Sequence, residues 1–597
     1  MKFKKNLSNQ ELAEGLRSVA MALEIQGESV FRIIAYKKAA SSIEDLNQDL
    51  KEIWQKKELE NLPGIGKNIA SHLDEYFKTG EIKHFKEVFK NIPESVFKLA
   101  KIPGLGPKLA FKLAKNLKIT DKKTVLKKIK QAALSHKISQ FPGFGVKTEQ
   151  EILIGLAEIN KMEKRLLLPE AENISNNLIN YLKKSKVIIK ADPLGSLRRK
   201  KATVRDIDIA ISSNNPKEVI NYFLKYPNKK RIVESGEHKA TIIVTPDYQV
   251  DLMVEKPGSY GTLLQHFTGS KEHNIHLREI AIKNGLSLSE HGLKKGKKII
   301  KFKSEQDLYK YLKMEYVPPE IREDRGEIEK SLQGNLPKLV QLSDIKGDLH
   351  LHSDFKIETS HDNGENSMKE IRDKAAALGY QYIAFSEHNP SISNHSKKDI
   401  INIIKRKKQI IDKLNYSFNN GKLSTKSTKV FIFNSLEIDI RPNGSLSIPE
   451  KAFNYLDFAI VSVHSSFRLN KTKMTKRVIS GLSHPKIKIL GHPTGRLLLK
   501  RQSYQLDWEV IFDFCLNNNK YLEINAHPKR LDLSDRLIKK AIDLGLKLFI
   551  NSDSHAISDM NNMKYGVYNA RRGWAKKDDI LNCMSYNNIK KLLVSKS

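Results

Sequence analysis

From residue 345 onward, short apolar runs recur, and each ends in or near a histidine or an acidic residue. KGDLHLH, YIAFSEH, VFIFNSLEID, FAIVSVH, IKILGHP, YLEINAH and LKLFINSDSH are seven such runs, each followed by a segment with helical spacing. Strand-like runs alternating with helices predict a β/α barrel with functional residues at the C-terminal ends of its strands. His350 and His352 alternate, so both face one side of a strand end, and Asp553 and His555 repeat that spacing. His388, Glu437, His464 and His492 fall at or just after other runs. A lone histidine is more often a satisfied core residue, but a set of this size at strand ends points to metal ligands. Imidazole and carboxylate ligands together suit Mn²⁺, Zn²⁺ or Fe²⁺, and so many of them imply two or three ions. Such a cluster activates water near neutral pH and neutralises a phosphate in transfer.

The remainder of the 597 residues is too long for one core, and the whole chain should hold about three to five domains. Residues 1–160 read as helices, with Leu12, Leu16 and Val19 at helical spacing. Three turns there share one plan: LPGIGKNIA, IPGLGPKLA and FPGFGVKTE. In each, an apolar residue and a proline precede Gly-x-Gly, and the second glycine opens a helix whose free amides face outward. The pairs are Gly64 with Gly66, Gly104 with Gly106, and Gly143 with Gly145, followed by Lys67, Lys108 and Lys147. Glycine lets the backbone approach a ligand closely, and amides at a helix start suit a phosphate. The turns resemble helix-hairpin-helix motifs, which grip the DNA backbone without reading sequence. Lys plus Arg number 104 against 68 Asp plus Glu, and the net charge of +36 supports a polyanionic partner. Two cysteines, Cys515 and Cys583, exclude a disulfide framework. The basic, polar N-terminus is not a signal peptide, and no apolar run approaches the ~18 residues of a membrane helix. A cytoplasmic protein without membrane association is expected.

Residues 160–255 alternate helical stretches with β-branched runs, an α+β section containing a sheet. Within it, GSLRRKKATVRDIDIAI places Asp206 and Asp208 two apart on a strand, with both carboxylates on one face. Asp251, in VDLMV, lies on another predicted strand and can join them. Three hard oxygen ligands suit Mg²⁺, and two such ions activate a 3′-hydroxyl and stabilise leaving pyrophosphate. Ser196 and Arg199, on the preceding turn, have the hydroxyl and guanidinium needed to hold a triphosphate. An Asp-x-Asp pair alone is common on exposed strands; the Gly-Ser turn, the arginine and the third aspartate turn the balance toward nucleotidyl transfer.

GSLRR, DID, VDLMV and HFTGSKEHNIHLR resemble family X DNA polymerases, relatives of polymerase beta, over residues 1 to about 330. The resemblance implies that Asp206, Asp208 and Asp251 bind metal and that Ser196 and Arg199 bind triphosphate. It also puts Phe267 and Gly269 in the sugar-contacting turn, Asn274 against the incoming base and Arg278 on the template strand. Asn274 and Arg278 are spaced i, i+4, which places them on one helix face. Arg205 stands where the family usually has Gly, Met253 where many members have Arg, and His266 where an aromatic residue is usual. His72 replaces the Schiff-base lysine of the family's lyase domain, and an imidazole cannot form that iminium. Weak or absent lyase activity is expected.

Residues 345–597 resemble the PHP domain (polymerase and histidinol phosphatase), including GHPTGRLL and DSH. The resemblance implies a distorted barrel holding three metals on nine ligands: His350, His352, Asp362, His388, Glu437, His464, His492, Asp553 and His555. SDFKIETSHDNG inserts extra residues before the expected Asp-Gly, and His361 is the alternative to Asp362. Glu387 takes the place of a frequent Asp. The implied activity is Mn²⁺-dependent 3′–5′ exonuclease action, with cleavage at abasic sites as a further implied activity.

The expected fold class is multidomain. A helical N-terminal region with helix-hairpin-helix motifs comprises a lyase-like domain (1–84) and a fingers domain (85–160). An α+β palm (161–256) and thumb (257–330), a linker (331–344) and a PHP-type distorted (β/α)7 barrel (345–597) follow. The function read from these parts is short-gap filling on gapped or primed double-stranded DNA with dNTPs. It would use Mg²⁺ at one site and a Mn²⁺, Zn²⁺ or Fe²⁺ cluster at the other, in a monomer serving base excision repair. Two alternatives stand beside it: a nuclease whose polymerase half positions DNA, and a non-catalytic DNA-end scaffold. The DNA-gripping domains disfavour a small-molecule phosphatase.

Overall fold

Helix-spaced apolar residues build the N-terminal section as the sequence predicts. In the computed structural model, Leu12, Leu16, Val19 and Leu23 line the buried face of helix Asn9–Gln26. The structure describes residues 9–44, 50–55, 57–62, 65–100, 102, 105–121, 124–162, 165–245, 248–420 and 429–594. It forms two compact units, Met1–Lys164 with His464–Phe467, and Arg165–Val463 with Arg468–Ser597. None of the described helices is long and apolar enough to cross a membrane.

In the first unit the described residues of the three glycine turns repeat one hydrogen bond. Ile65 N–H donates to Leu62 O at 3.1 Å, Leu105 to Ile102 at 3.0 Å and Phe144 to Phe141 at 3.0 Å. Each apolar donor is buried, which pins the turn to the core. Helices Lys67–Thr79, Pro107–Asn116 and Val146–Met162 then start directly after Gly66, Gly106 and Gly145.

In the second unit a five-stranded sheet carries the first chemistry. Its order is Lys190–Pro193, Ile207–Ser212, Tyr248–Glu255, Lys239–Val244, Lys229–Ser235, with only the second and third strands parallel to one another. Alternation buries Ile207, Ile209 and Ile211 against helices Leu168–Leu182 and Pro216–Phe223. Helices Tyr260–Thr268 and Lys271–Lys283, a three-stranded antiparallel sheet and helix Glu305–Tyr311 follow. The polar stretch read as a linker is packed. Within 331–344, Ser331 is buried in helix Glu327–Leu332, and Leu339 joins the core formed by Leu277, Leu308 and Trp574. Leu339 and Val340 fall at buried positions while Leu332 and Leu342 are exposed, a division that overall polarity hid.

Glu305 is the electrostatic centre of this section. It accepts hydrogen bonds from Arg198 Nη2 at 2.5 Å and from the fully buried Arg322 Nη1 at 2.6 Å. Burial alone would raise its carboxyl, but Arg322 and Arg198 bring it down to about 2. A folded-state pKa below the ordinary glutamate value means that the stabilisation is present above the unfolded pKa and lost as pH falls toward 2. Glu305→Gln strands the fully buried Arg322 and the half-buried Arg198, a break that costs about 3–5 kcal/mol. Calorimetry should show a large fall in Tm near neutral pH, and the gap to the wild type should close in acid. Equal Tm values at neutral pH would remove Glu305 from this role.

The seven apolar runs after residue 345 all form parallel strands. Gly347–Leu351, Tyr382–Phe385 and Phe431–Asn434 make one sheet, and Glu437–Asp439, Ala459–Ser462, Ile487–Leu490, Tyr521–Asn525 and Leu548–Asn551 make the other. The run VFIFNSLEID is split into Phe431–Asn434 and Glu437–Asp439, which accounts for eight strands from seven runs. Parallel bridges Leu351 to Ser554 and His388 to Glu437 bring the two sheets together in a barrel-like ring.

Candidate active sites

Strand register builds the carboxylate site. Asp208 and Asp251 are direct partners on the parallel strands Ile207–Ser212 and Tyr248–Glu255, and Asp206 stands one residue before the first of them. Asp251 accepts hydrogen bonds from Thr241 Oγ1 and, at 2.8 Å, from Gln249 Nε2. Arg205 Nε donates to Asp206 Oδ2 at 2.7 Å. Burial, then the neighbouring charges of Asp251 and Asp206, push Asp208 up to about 7. Three converging carboxylates, two of whose charges raise the protonation of Asp208 between them, are a donor set fitted to divalent cations. Gly195 has φ +55° and a Cβ added there would lie 2.6 Å from Asp208 Oδ2, so the turn can press on the site only as glycine.

The residues read for nucleotide binding gather on two facing turns. Ser196 follows Gly195, and Gly195 faces Phe267 O. Arg199 is buried; its Nη1 donates to Thr268 O and its Nε lies 3.1 Å from Glu323 Oε1. A Cβ on Gly269 would come within 3.1 Å of Arg199 Nη1. Arg199 therefore braces the two turns against each other. Asn274 Nδ2 donates to His266 O at 2.6 Å while its Oδ1 accepts from Gln265 at 2.8 Å. Arg278 is exposed one turn further along helix Lys271–Lys283.

The histidine site lies at the strand ends. Ligand atoms of His352, His388 and His555 fall within 4.8 Å of one another, as do those of His350, His352 and Asp553, and those of Glu437, His464 and His492. Glu437 is the hub, 3.0 Å from His388 Nδ1, 2.8 Å from His492 Nε2 and 3.3 Å from His350 Nε2. Asp362 is exposed, though it feels the charges of His555, His388 and His361. His361 instead forms a ligand group with His388 and His464, and its Nε2 meets Asp439 at 2.9 Å. Burial and His555 hold His352 well below the ordinary imidazole range. Its Nε2 and that of His555 are buried without a hydrogen bond, as metal-facing nitrogens would be. Donor chemistry and orphaned nitrogens both fit a divalent metal cluster.

Sequence reading missed the residues that aim these ligands. Glu523 Oε1 accepts from His350 Nδ1 at 2.8 Å, and its Oε2 accepts from His492 N–H at 2.7 Å. Asn551 and Asn525 hold Glu523 in turn. The signal was present: YLEINAH carries a glutamate and an asparagine inside a run that is otherwise apolar. Glu387, the departure before His388, is paired with the buried Lys407 and accepts from Ser353 Oγ at 2.6 Å.

In the first unit, Gly66, Gly106 and Gly145 are exposed, and a Cβ on any of them would meet nothing within 4 Å. Lys67, Lys108 and Lys147 are exposed beside them, and Gly143 has φ +89°. Gly64 and Gly104 lie outside the described residues. His72 stacks on His84 at 4.8 Å and its Nδ1 lies 3.0 Å from Tyr36 Oη.

Residues 7–82 match the helix-hairpin-helix domain family and 97–158 the SAM-like helix-hairpin-helix tandem. Residues 263–323 match the DNA polymerase beta thumb and 348–527 the PHP domain. The chain is 33% identical over 593 residues to the DNA polymerase/3′-5′ exonuclease PolX of Bacillus subtilis (strain 168), covering 98% of this chain and 99% of that one. It is also 25% identical to a probable phosphatase of Caldicellulosiruptor saccharolyticus, over 33% of this chain and 76% of that one. A probable phosphatase of Thermoanaerobacter sp. (strain X514) matches at 25% over 39% of this chain and 89% of its own length.

Proposed function

The chain belongs to the family X DNA polymerases that carry a PHP domain and is a DNA polymerase with 3′–5′ exonuclease function; from that premise we propose that it fills short gaps in damaged DNA and trims 3′ ends before copying. Membership overrides the scaffold and nuclease-only readings. Helix-hairpin-helix motifs imply DNA binding, and both catalytic sections imply divalent metal use.

The observation that carries the proposal is the pairing of two separate ligand sets with three exposed glycine turns. The turns offer amides and lysines to phosphates on both sides of a short gap. Asp206, Asp208 and Asp251 hold Mg²⁺ in our reading, with Ser196 and the Gly195 turn toward the triphosphate of a dNTP. Arg199 keeps that turn against Gly269. Phe267 supports the sugar, Asn274 faces the base, and Arg278 reaches the template. His350, His352, His388, Glu437, His464, His492, Asp553 and His555 hold a Mn²⁺, Zn²⁺ or Fe²⁺ cluster of three ions, with His361 or Asp362 completing it. Bound divalent ions supply Lewis acidity and a lowered water pKa at both sites. Glu523 fixes the ring of His350 through Nδ1 and holds the backbone N–H of His492, so that both residues stay placed toward the site. His72 leaves lyase activity weak or absent. A monomer in the cytoplasm, at the nucleoid when on DNA, fits two isolated thiols that burial pushes up to about 12.

Extension on a one-nucleotide gap should exceed extension on an open recessed primer by about tenfold or more in kcat/KM for the dNTP, because both DNA flanks are then held. Equal values on the two substrates would sink the gap-filling role and leave a general polymerase.

A further inference from the structure

Helix Met563–Arg572 follows the last barrel strand, yet its side chains run into the polymerase section. Tyr565 belongs to the core of the five-stranded sheet, and Trp574, just past the helix, belongs to the core around Leu277 and Leu308. Lys200, next to Arg199, lies 4.6 Å from the ring centre of Tyr568. The helix is thus built into the polymerase section on two sides.

Arg572 ends that helix and is 4% exposed. Its Nη1 donates to Arg199 O at 2.6 Å and to Glu320 O at 3.3 Å. Its Nη2 donates to Glu323 Oε1 at 3.1 Å and to Asp535 Oδ2 at 2.7 Å. Glu323 Oε1 is the same oxygen that Arg199 Nε meets, and Lys201 pairs with the other oxygen at 3.2 Å. One carboxylate therefore gathers Arg199 and Lys201 from the turn and Arg572 from the barrel side. Burial opposes its charge, but Arg572, Arg199 and Lys201 hold Glu323 below the ordinary carboxylate range. A planar guanidinium meets four acceptors in fixed directions, which an ammonium cannot do.

We propose that Arg572 is a positioning residue for nucleotide binding: from the phosphoesterase side it holds the Gly195–Arg199 turn, and so makes dNTP affinity depend on the docked barrel. The assignment rests on the reading of that turn as the triphosphate site. Arg572 bonds the backbone of Arg199, three residues beyond Ser196, and Arg199 in turn reaches Thr268 O beside Gly269. Its described bonds go to Arg199, Glu320, Glu323 and Asp535, none of which is a ligand of the histidine site. Losing it leaves a buried carbonyl unpaired and frees Glu323 to shift, which loosens the turn without touching the metal ligands.

The test uses the full-length protein with Arg572→Ala, Arg572→Lys, Glu323→Gln and the double variant Glu323→Gln/Arg572→Ala, on a gapped duplex with a single dNTP. The alanine variant should raise KM for the dNTP about tenfold and the lysine variant about threefold, with kcat and Mn²⁺-dependent shortening within about twofold of wild type. The double variant should raise KM by less than the product of the single effects, because both act through one turn. An unchanged KM overturns the proposal. So does a parallel loss of extension and shortening with a lower Tm, the mark of a merely structural arginine. If the alanine variant does not fold, the lysine variant decides on the same criteria. A wild type that extends no primer would take down the polymerase-site reading along with this one. A wild type that extends normally beside an unaffected Arg572→Ala would remove this assignment alone.

Discussion

Asp208→Asn should abolish primer extension, by on the order of a thousandfold in kcat, while 3′-end shortening with Mn²⁺ stays within about twofold. The asparagine keeps the shape but lacks the charge by which, in the proposed reading, the three aspartates hold divalent cations. The same change should stabilise the metal-free protein. Burial and the charges of Asp251 and Asp206 push Asp208 up to about 7, far above an unfolded aspartate. Ionising it in the folded state therefore costs stability, and the cost grows as pH rises to that value. Above pH 7, without metal, the variant should have the higher Tm, a gain in stability bought with function. Gel analysis of extension and shortening on one gapped duplex, with a thermal melt beside it, reads all three. Extension that survives in Asp208→Asn would remove the carboxylate triad from catalysis.

Much of this was legible because strand geometry writes itself into sequence. Period-2 spacing placed Asp206 near Asp208 and His350 near His352, and short apolar runs marked every barrel strand. Spacing says nothing of partners brought together from distant segments. Glu523 reaches His350 and His492 across the sheet, and Glu323 and Arg572 meet Arg199 from more than a hundred residues away. These residues have no local pattern beyond a charge in an apolar neighbourhood. The stretch 331–344 read as a linker holds buried positions for the converse reason. Composition averages over faces, whereas Leu339 and Val340 each needed only one buried side. His361 against Asp362 is the same lesson at one site. Spacing alone leaves two neighbours in contention, and the fold brings the ring of His361 to His388 and His464 while Asp362 feels the charges of His555 and His388.

Glu437→Gln should eliminate Mn²⁺-dependent shortening by roughly a thousandfold while extension on the same duplex stays within about twofold. Glu437 stands within 3.3 Å of His350, His388 and His492, so its charge is shared by much of the cluster. The amide preserves volume but removes one negative ligand and offers N–H groups toward imidazoles that must stay free to bind metal. Metal content per chain, read by mass spectrometry after exhaustive dialysis, should fall with the activity. Glu523→Gln makes the contrast. It meets His350 at Nδ1, the ring nitrogen facing away from Glu437, and His492 at its backbone N–H, so its loss should weaken metal affinity by about 10–100-fold, an effect that excess Mn²⁺ can offset. Activity restored by excess Mn²⁺ in Glu523→Gln but not in Glu437→Gln would separate the orienting residue from the ligand. Undiminished shortening in Glu437→Gln would mean that hydrolysis happens elsewhere, because no arrangement of these histidines leaves their shared carboxylate idle.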